Sequence, residues 1–137
     1  HMFFPVTDTG NAAVADIVTV MHEMGHVFRR AQLISFDTSK GYEHDLLQVE
    51  TRPYTKKVTA DTTETFKIGD LPKDGYISPY ARTSIGEDTA EMFAFLTLDA
   101  AINKKPPATY ASDKVFVAKA KVLANYIHKY VPKYKLN

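Results

Sequence analysis

The chain of 137 residues contains no cysteine. That excludes disulfides, thiol nucleophiles and thiolate-bound metal together, so any metal would have to be held by histidine and carboxylate. A cysteine-free chain fits a cytosolic protein and equally many secreted bacterial ones. No apolar run approaches the roughly eighteen residues of a membrane span, so no transmembrane segment is expected. The start, MFFPVTDTG, lacks the basic residues and apolar middle of a secretory signal. His1-Met2 read as an expression-tag remnant, and 3–137 as a single domain, open to having been excised from a larger protein. There are no internal repeats and no low-complexity tracts.

Apolar residues make up 45% and charged residues 24%, the ordinary balance of a globular domain that buries a core. The net charge of +1 hides an asymmetry. Residues 1–103 carry a net −6, whereas 104–137 carry a net +7. A basic tail can contact nucleic acid or acidic lipid. Here Lys114, Lys119, Lys121, Lys129, Lys133 and Lys135 punctuate a helical pattern, which reads as the solvated face of a docked helix.

The most informative stretch is TVMHEMGHVF, residues 19–28. Its apolar positions Val14, Ile17, Val18, Met21, Gly25 and Phe28 predict a helix over about 11–30 with that stripe toward the core and Arg29-Arg30 closing it. His22 and His26, four apart, then lie about 40° apart around the axis with Cβ atoms roughly 5–6 Å apart. Two imidazoles so spaced can converge on one ion at about 2.0–2.1 Å. Glu23 flanks that face, where a carboxylate can take a proton from water activated by the ion. Gly25 is costly mid-helix and marks a close approach by another segment. His-Glu-x-x-His alone arises by chance in roughly one such chain in a few hundred, so a second block is needed.

Elsewhere, residues 3–7 predict a short edge strand limited by Pro5. DTSKGYEHD reads as loop, with His44 a solvated surface histidine. The stretches around 46–60 and 62–68 alternate as a β-hairpin with a turn near Ala60-Asp61. LPKDGYISP reads as a turn-rich connection. Ser84, with Glu87 three residues later, forms a capping box opening a helix to about Ile102, with Ala90, Phe93, Ala94 and Ala101 on one side and Leu96, Leu98 and Ile102 widening the stripe. After a Pro-Pro loop, Ser112 or Asp113 caps a last helix to about Tyr130. Its face runs through Val115, Lys119, Val122, Leu123, Tyr126 and Tyr130, Lys119 is expected to snorkel, and His128 to sit at the surface. Tyr42, Tyr54, Tyr76 and Tyr110 are candidates to line a cleft.

A hydrolytic zinc site needs a third protein ligand and an open position. A carboxylate at the start of the second long helix is a plausible donor, and Glu87 and Glu91 both have suitable chemistry. HEMGH followed by YARTSIGEDTAEMFAF resembles the gluzincin class of zinc metallopeptidases, and within it the anthrax lethal factor catalytic domain and the Pro-Pro endopeptidase group. Tyr80, Glu87 and Glu91 match the spacing of that group's second motif. The resemblance implies His22, His26 and Glu87 as ligands of Zn2+, Glu23 as general base and Tyr80 as oxyanion stabiliser. It further implies that Glu91 orients a ligand histidine.

The resulting expectation is an α+β, mainly helical, zincin-like fold with an active-site helix, a small β-hairpin or sheet and two further helices. The expected activity is endopeptidase cleavage of a protein or peptide by a monomer, as the catalytic domain of a secreted or delivered toxin or effector, with no nucleic-acid partner. Two alternatives stay open: a catalytically inactive zincin-like binding or targeting domain, and a helical module meeting nucleic acid or acidic lipid through its basic last helix.

Overall fold

A Cβ built on Gly25 would lie 2.7 Å from the Cα of Ala90 and 2.9 Å from the Cβ of Phe93. Only a residue without a side chain allows this approach, and it sets how the two longest helices meet. The structure is a computed structural model and describes residues 10–35, 41–55, 64–67, 70–103 and 112–130. Helix α1 spans Gly10–Ser35, α2 Tyr42–Val49, α3 Ile85–Asn103 and α4 Lys114–Tyr130, with a 3-10 turn at Tyr80–Arg82.

Helix α3 is central. Ala90, Ala94, Leu96 and Leu98 are buried, in line with the widened stripe, and so are Met92 and Phe95 outside it, so the helix is covered on several sides. Its start is as anticipated, with the Glu87 N–H donating to Ser84 Oγ at 3.1 Å. Helix α1 packs along it through Val18, Met21, Gly25 and Phe28, the last with its ring 5.7 Å from that of Phe93. Helix α4 brings Phe116, Ala120, Leu123, Tyr126 and Ile127 into the same core. Asp113 caps it, accepting from Phe116 N at 3.0 Å and from Gly75 N at 2.8 Å.

Four expectations need correction. Helix α1 runs on past Arg29-Arg30 to Ser35, because Arg29 is bound by Glu43 and AQLIS continues a helix readily. Residues 42–49, expected as loop and then strand, form α2. Tyr42 and Leu46, one turn apart, are both buried, and Glu43 and Asp45 favour the helix start. The rest of the predicted hairpin shows no strand at 50–55 or 64–67, while 56–63, 68–69 and the strand at 3–7 lie outside the described residues. Among the described residues the only isolated bridge is antiparallel, Lys73 to Tyr76, across a turn in which Asp74 and Gly75 have φ of 55° and 90°. The described fold is therefore mainly helical, without a sheet.

The fourth correction concerns Lys119, which does not snorkel but is fully buried. Its Nζ lies 2.7 Å from Asp88 Oδ2 and 3.3 Å from Glu50 Oε2, and donates to Gly75 O at 2.9 Å. The ammonium also sits 3.9 Å from the centre of the Tyr76 ring. Removing one partner of such a buried pair typically costs about 3–5 kcal/mol. Burial pushes the Asp88 carboxyl up to about 6 against the pull of Lys119 and Tyr54, and its Oδ1 has no hydrogen-bond partner among the described residues. Burial also disfavours ionised Glu50, but the Arg52 hydrogen bond and the Lys119 charge outweigh it and hold Glu50 below its ordinary 4.5.

Gly25→Ala should destabilise the fold by about 1–3 kcal/mol in urea unfolding, despite alanine's better helix propensity, because backbone blocks the new methyl. Retention of wild-type stability would remove the close approach as the determinant of the α1–α3 contact. Glu50 binds its proton less readily folded than unfolded. Its contribution is complete above about pH 4.5 and is lost as pH falls through the lowered folded value. Asp88 has the opposite sign, so the difference between wild type and Glu50→Gln is the quantity to follow. That difference in unfolding free energy should shrink between pH 5 and 3 (roughly the carboxylate range); a constant difference would refute the assignment.

Candidate metal centre

Helix α1 turns His22 and His26 toward the first turns of α3, on the side that Gly25 brings close. Their rings meet edge to face, with centroids 4.8 Å apart. His22 is buried, whereas the side chains of His26 and Glu87 keep 25% and 22% of their surface exposed. Glu87 Oε2 lies 2.9 Å from His22 Nε2 and 3.1 Å from His26 Nε2, and the two nitrogens are 3.1 Å apart. Three donor atoms thus converge on one point at the open edge of the α1–α3 contact.

Glu91, one turn along α3 from Glu87, goes to the other nitrogen of His22. Its Oε2 is 2.8 Å from His22 Nδ1, and since a carboxylate only accepts, that nitrogen carries the proton. With Nδ1 committed to Glu91, Nε2 is the nitrogen that would offer a lone pair to a cation at the point where Glu87 and His26 converge. Glu91 is fully buried and also accepts from Ser78 Oγ at 2.7 Å and from Phe66 N at 2.9 Å. Burial lowers the His22 pKa, but the hydrogen bond and charge of Glu91, with Glu87 and Glu23, more than offset it and leave it raised above 6.5.

The 3-10 turn supplies Tyr80, held by Thr83 Oγ1 donating to its carbonyl at 2.7 Å. Its ring stacks nearly parallel on His22, 9° between planes and 5.3 Å between centroids. Burial, a hydrogen bond with Glu87 and the surrounding acids push the Tyr80 hydroxyl up to about 12, so it is a proton donor at neutral pH. Glu23 is exposed on the flank of α1, with a carboxylate oxygen and one nitrogen from each of His22 and His26 all within 4.8 Å of one another.

All six residues singled out in the sequence are therefore neighbours, although Glu23 and Glu87 stand differently toward the nitrogens. Glu87 touches both, while Glu23 sits further out on the exposed flank. His44 and His128 are exposed, as anticipated. Of the tyrosines considered for a cleft, Tyr42 and Tyr76 are buried, Tyr54 donates to Asp88 at 2.6 Å, and Tyr110 lies outside the described residues. The donors that satisfy Glu91 were not foreseen. Phe66 contributes only a backbone N–H, which leaves no trace in residue type, and Ser78 could have been suspected only as a hydroxyl two residues before Tyr80.

Two imidazole nitrogens and one carboxylate oxygen suit zinc, and a tetrahedral ion with bonds of about 2.0–2.1 Å would separate its ligands by roughly 3.3 Å. The observed 2.9–3.1 Å spacings are a small adjustment away from that. Among the described helices none is long and apolar enough to cross a membrane.

No curated protein and no solved structure matches the chain significantly. A family model does, over residues 2–133, and its description reads "Putative zinc-binding metallo-peptidase". By that match over nearly its whole length, the chain belongs to this zinc-binding metallopeptidase family, and zinc is the metal its histidine–carboxylate cluster is suited to hold.

Proposed function

We propose that the protein is a zinc-dependent endopeptidase of gluzincin type, with His22, His26 and Glu87 holding the ion. The convergence of His22 Nε2, His26 Nε2 and Glu87 Oε2 within 3.1 Å of one another carries this reading. When bound, zinc supplies Lewis-acid activation of water and of the scissile carbonyl.

The residues of the chain divide the remaining work. Glu23 takes a proton as water oxygen bonds to the peptide carbon, and later delivers it to the leaving amine as the C–N bond breaks. The Tyr80 hydroxyl donates a hydrogen bond to the oxyanion, the charge that develops during attack. Glu91 fixes the tautomer and rotation of His22 from behind, itself held by Ser78 and the Phe66 N–H. The exposed edges of His26 and Glu87 give a peptide access to this arrangement.

A non-catalytic zinc-binding domain would need neither Glu23 nor Tyr80 beside the ligands. The reading as a module for nucleic acid or acidic lipid is weakened by Lys119, which points into the core and is lost to any basic surface.

Purified protein under zinc-replete conditions should hold about one equivalent of zinc. His22→Ala should lose the metal and the cleavage of a peptide library. Glu23→Gln should keep the metal and lose cleavage, and Tyr80→Phe should lower kcat by about 10²–10³ with zinc retained. Wild-type zinc content below about a tenth of an equivalent would refute the metal site. Stoichiometric zinc with no peptide cut would refute the peptidase.

A further inference from the structure

The mechanism above leaves one buried cation without a task. We propose that Lys119 is a positioning residue for the metal-binding acid, acting through Asp88; the inference rests on the zinc reading of Glu87. Asp88 follows Glu87 directly on α3, and successive residues of a helix point about 100° apart. Glu87 and Glu91 reach toward α1 and its histidines. Asp88, turned away, receives Lys119 Nζ at 2.7 Å and the Tyr54 hydroxyl at 2.6 Å on its Oδ2. Both members of the ion pair are fully buried. The first turn of α3 is thus gripped from two directions, by histidines on one side and by an ammonium and a phenol on the other.

Rotation of α3 about its own axis is what this second grip opposes. A glutamate carboxylate lies roughly 6 Å from the helix axis, so a turn of about 10° displaces it by about 1 Å. Metal–ligand distances tolerate only about 0.2 Å. The Gly25–Ala90 approach fixes how closely α3 lies to α1, and the apolar contacts of Met92 and Phe95 are compatible with small rotations, whereas a 2.7 Å ion pair is directional. The same ammonium donates to Gly75 O at 2.9 Å, three residues before Ser78, whose hydroxyl supports Glu91, and five before Tyr80. One cation thereby braces both segments that bring acid and phenol to the metal face.

Lys119→Met, Asp88→Asn and Tyr54→Phe test this, with Leu123→Ala as a control that injures the core on the same helix. Zinc affinity is measured by competition with a chromogenic chelator, alongside the melting temperature of apo and zinc-loaded protein. The expected result is zinc bound about tenfold more weakly in Lys119→Met and Asp88→Asn, and less so in Tyr54→Phe, within the range for groups that orient metal ligands. The rise in Tm produced by zinc should shrink accordingly. Leu123→Ala should lower both melting temperatures and keep the zinc-induced rise. Folded Asp88→Asn and Tyr54→Phe with wild-type zinc affinity would overturn the proposal, and they decide it even where Lys119→Met does not fold. An equal loss of the zinc-induced rise in Leu123→Ala would also overturn it, by making the effect a consequence of instability. Wild type without zinc overturns both this and the metal site, whereas zinc-loaded wild type with unaffected variants overturns this inference alone.

Discussion

The close contact of α1 and α3 at Gly25 is the constraint on which the remainder of the structure depends. With a Cβ position 2.7 Å from the Ala90 backbone, these helices touch where most pairs are held apart by side chains. The imidazoles of His22 and His26 flank Gly25 along α1, and Glu87 and Glu91 flank Ala90 along α3. A short glutamate reach then suffices to bring Oε2 of Glu87 within 3.1 Å of both Nε2 atoms. Widening the interface by the thickness of a methyl would place the same four groups at distances where water intervenes.

Placing three acids beside two imidazoles in a partly buried site has an electrostatic consequence. The acids repel one another, and burial raises the cost of each charge. The arrangement persists because each acid is treated differently. Glu91 is wholly buried but accepts from His22, Ser78 and the Phe66 N–H, a full set of donors. Glu23 stays exposed to water. Glu87 is half-sheltered, near the capped start of α3, where unpaired N–H groups favour an anion. What remains is an excess of negative charge at one point, the condition under which a divalent cation is attracted.

Local rules made part of this readable in advance. His22, Glu23 and His26 declare themselves by spacing on one helix, Ser84 by its capping position, Gly25 by being out of place mid-helix, and Asp74-Gly75 by turn chemistry. Glu87, Glu91 and Tyr80 became interpretable only through a resemblance, since a capping glutamate and a solvated helix face have the same residue pattern. Helix α2 was misread because eight residues are too few to establish a period, and Leu46 to Val49 alternate as well as they cycle. Lys119 was misread for a deeper reason. Composition places a lysine on the surface, and only the fold shows that Glu50 from the end of α2, Asp88 from α3 and the Gly75 carbonyl converge on it.

That convergence bears on why a small helical domain keeps charges in its interior. A buried ion pair is a poor source of stability, because apolar groups of the same shape serve about as well. Its distinctive property is direction. Packing of Phe66, Phe95 and Phe116, with ring centroids 5.6 Å apart in sequence, gives α3 and α4 their proximity but tolerates rotation and slide. Hydrogen-bonded charges do not tolerate it, since their energy falls steeply with distance and angle. Among the described residues no sheet clamps the helices, so orientation must come from contacts of this kind. Asp88 Oδ1, without a hydrogen-bond partner among the described residues, fits the same view. A group kept at an energetic disadvantage in the turn that carries Glu87 is better understood as setting geometry than as adding stability.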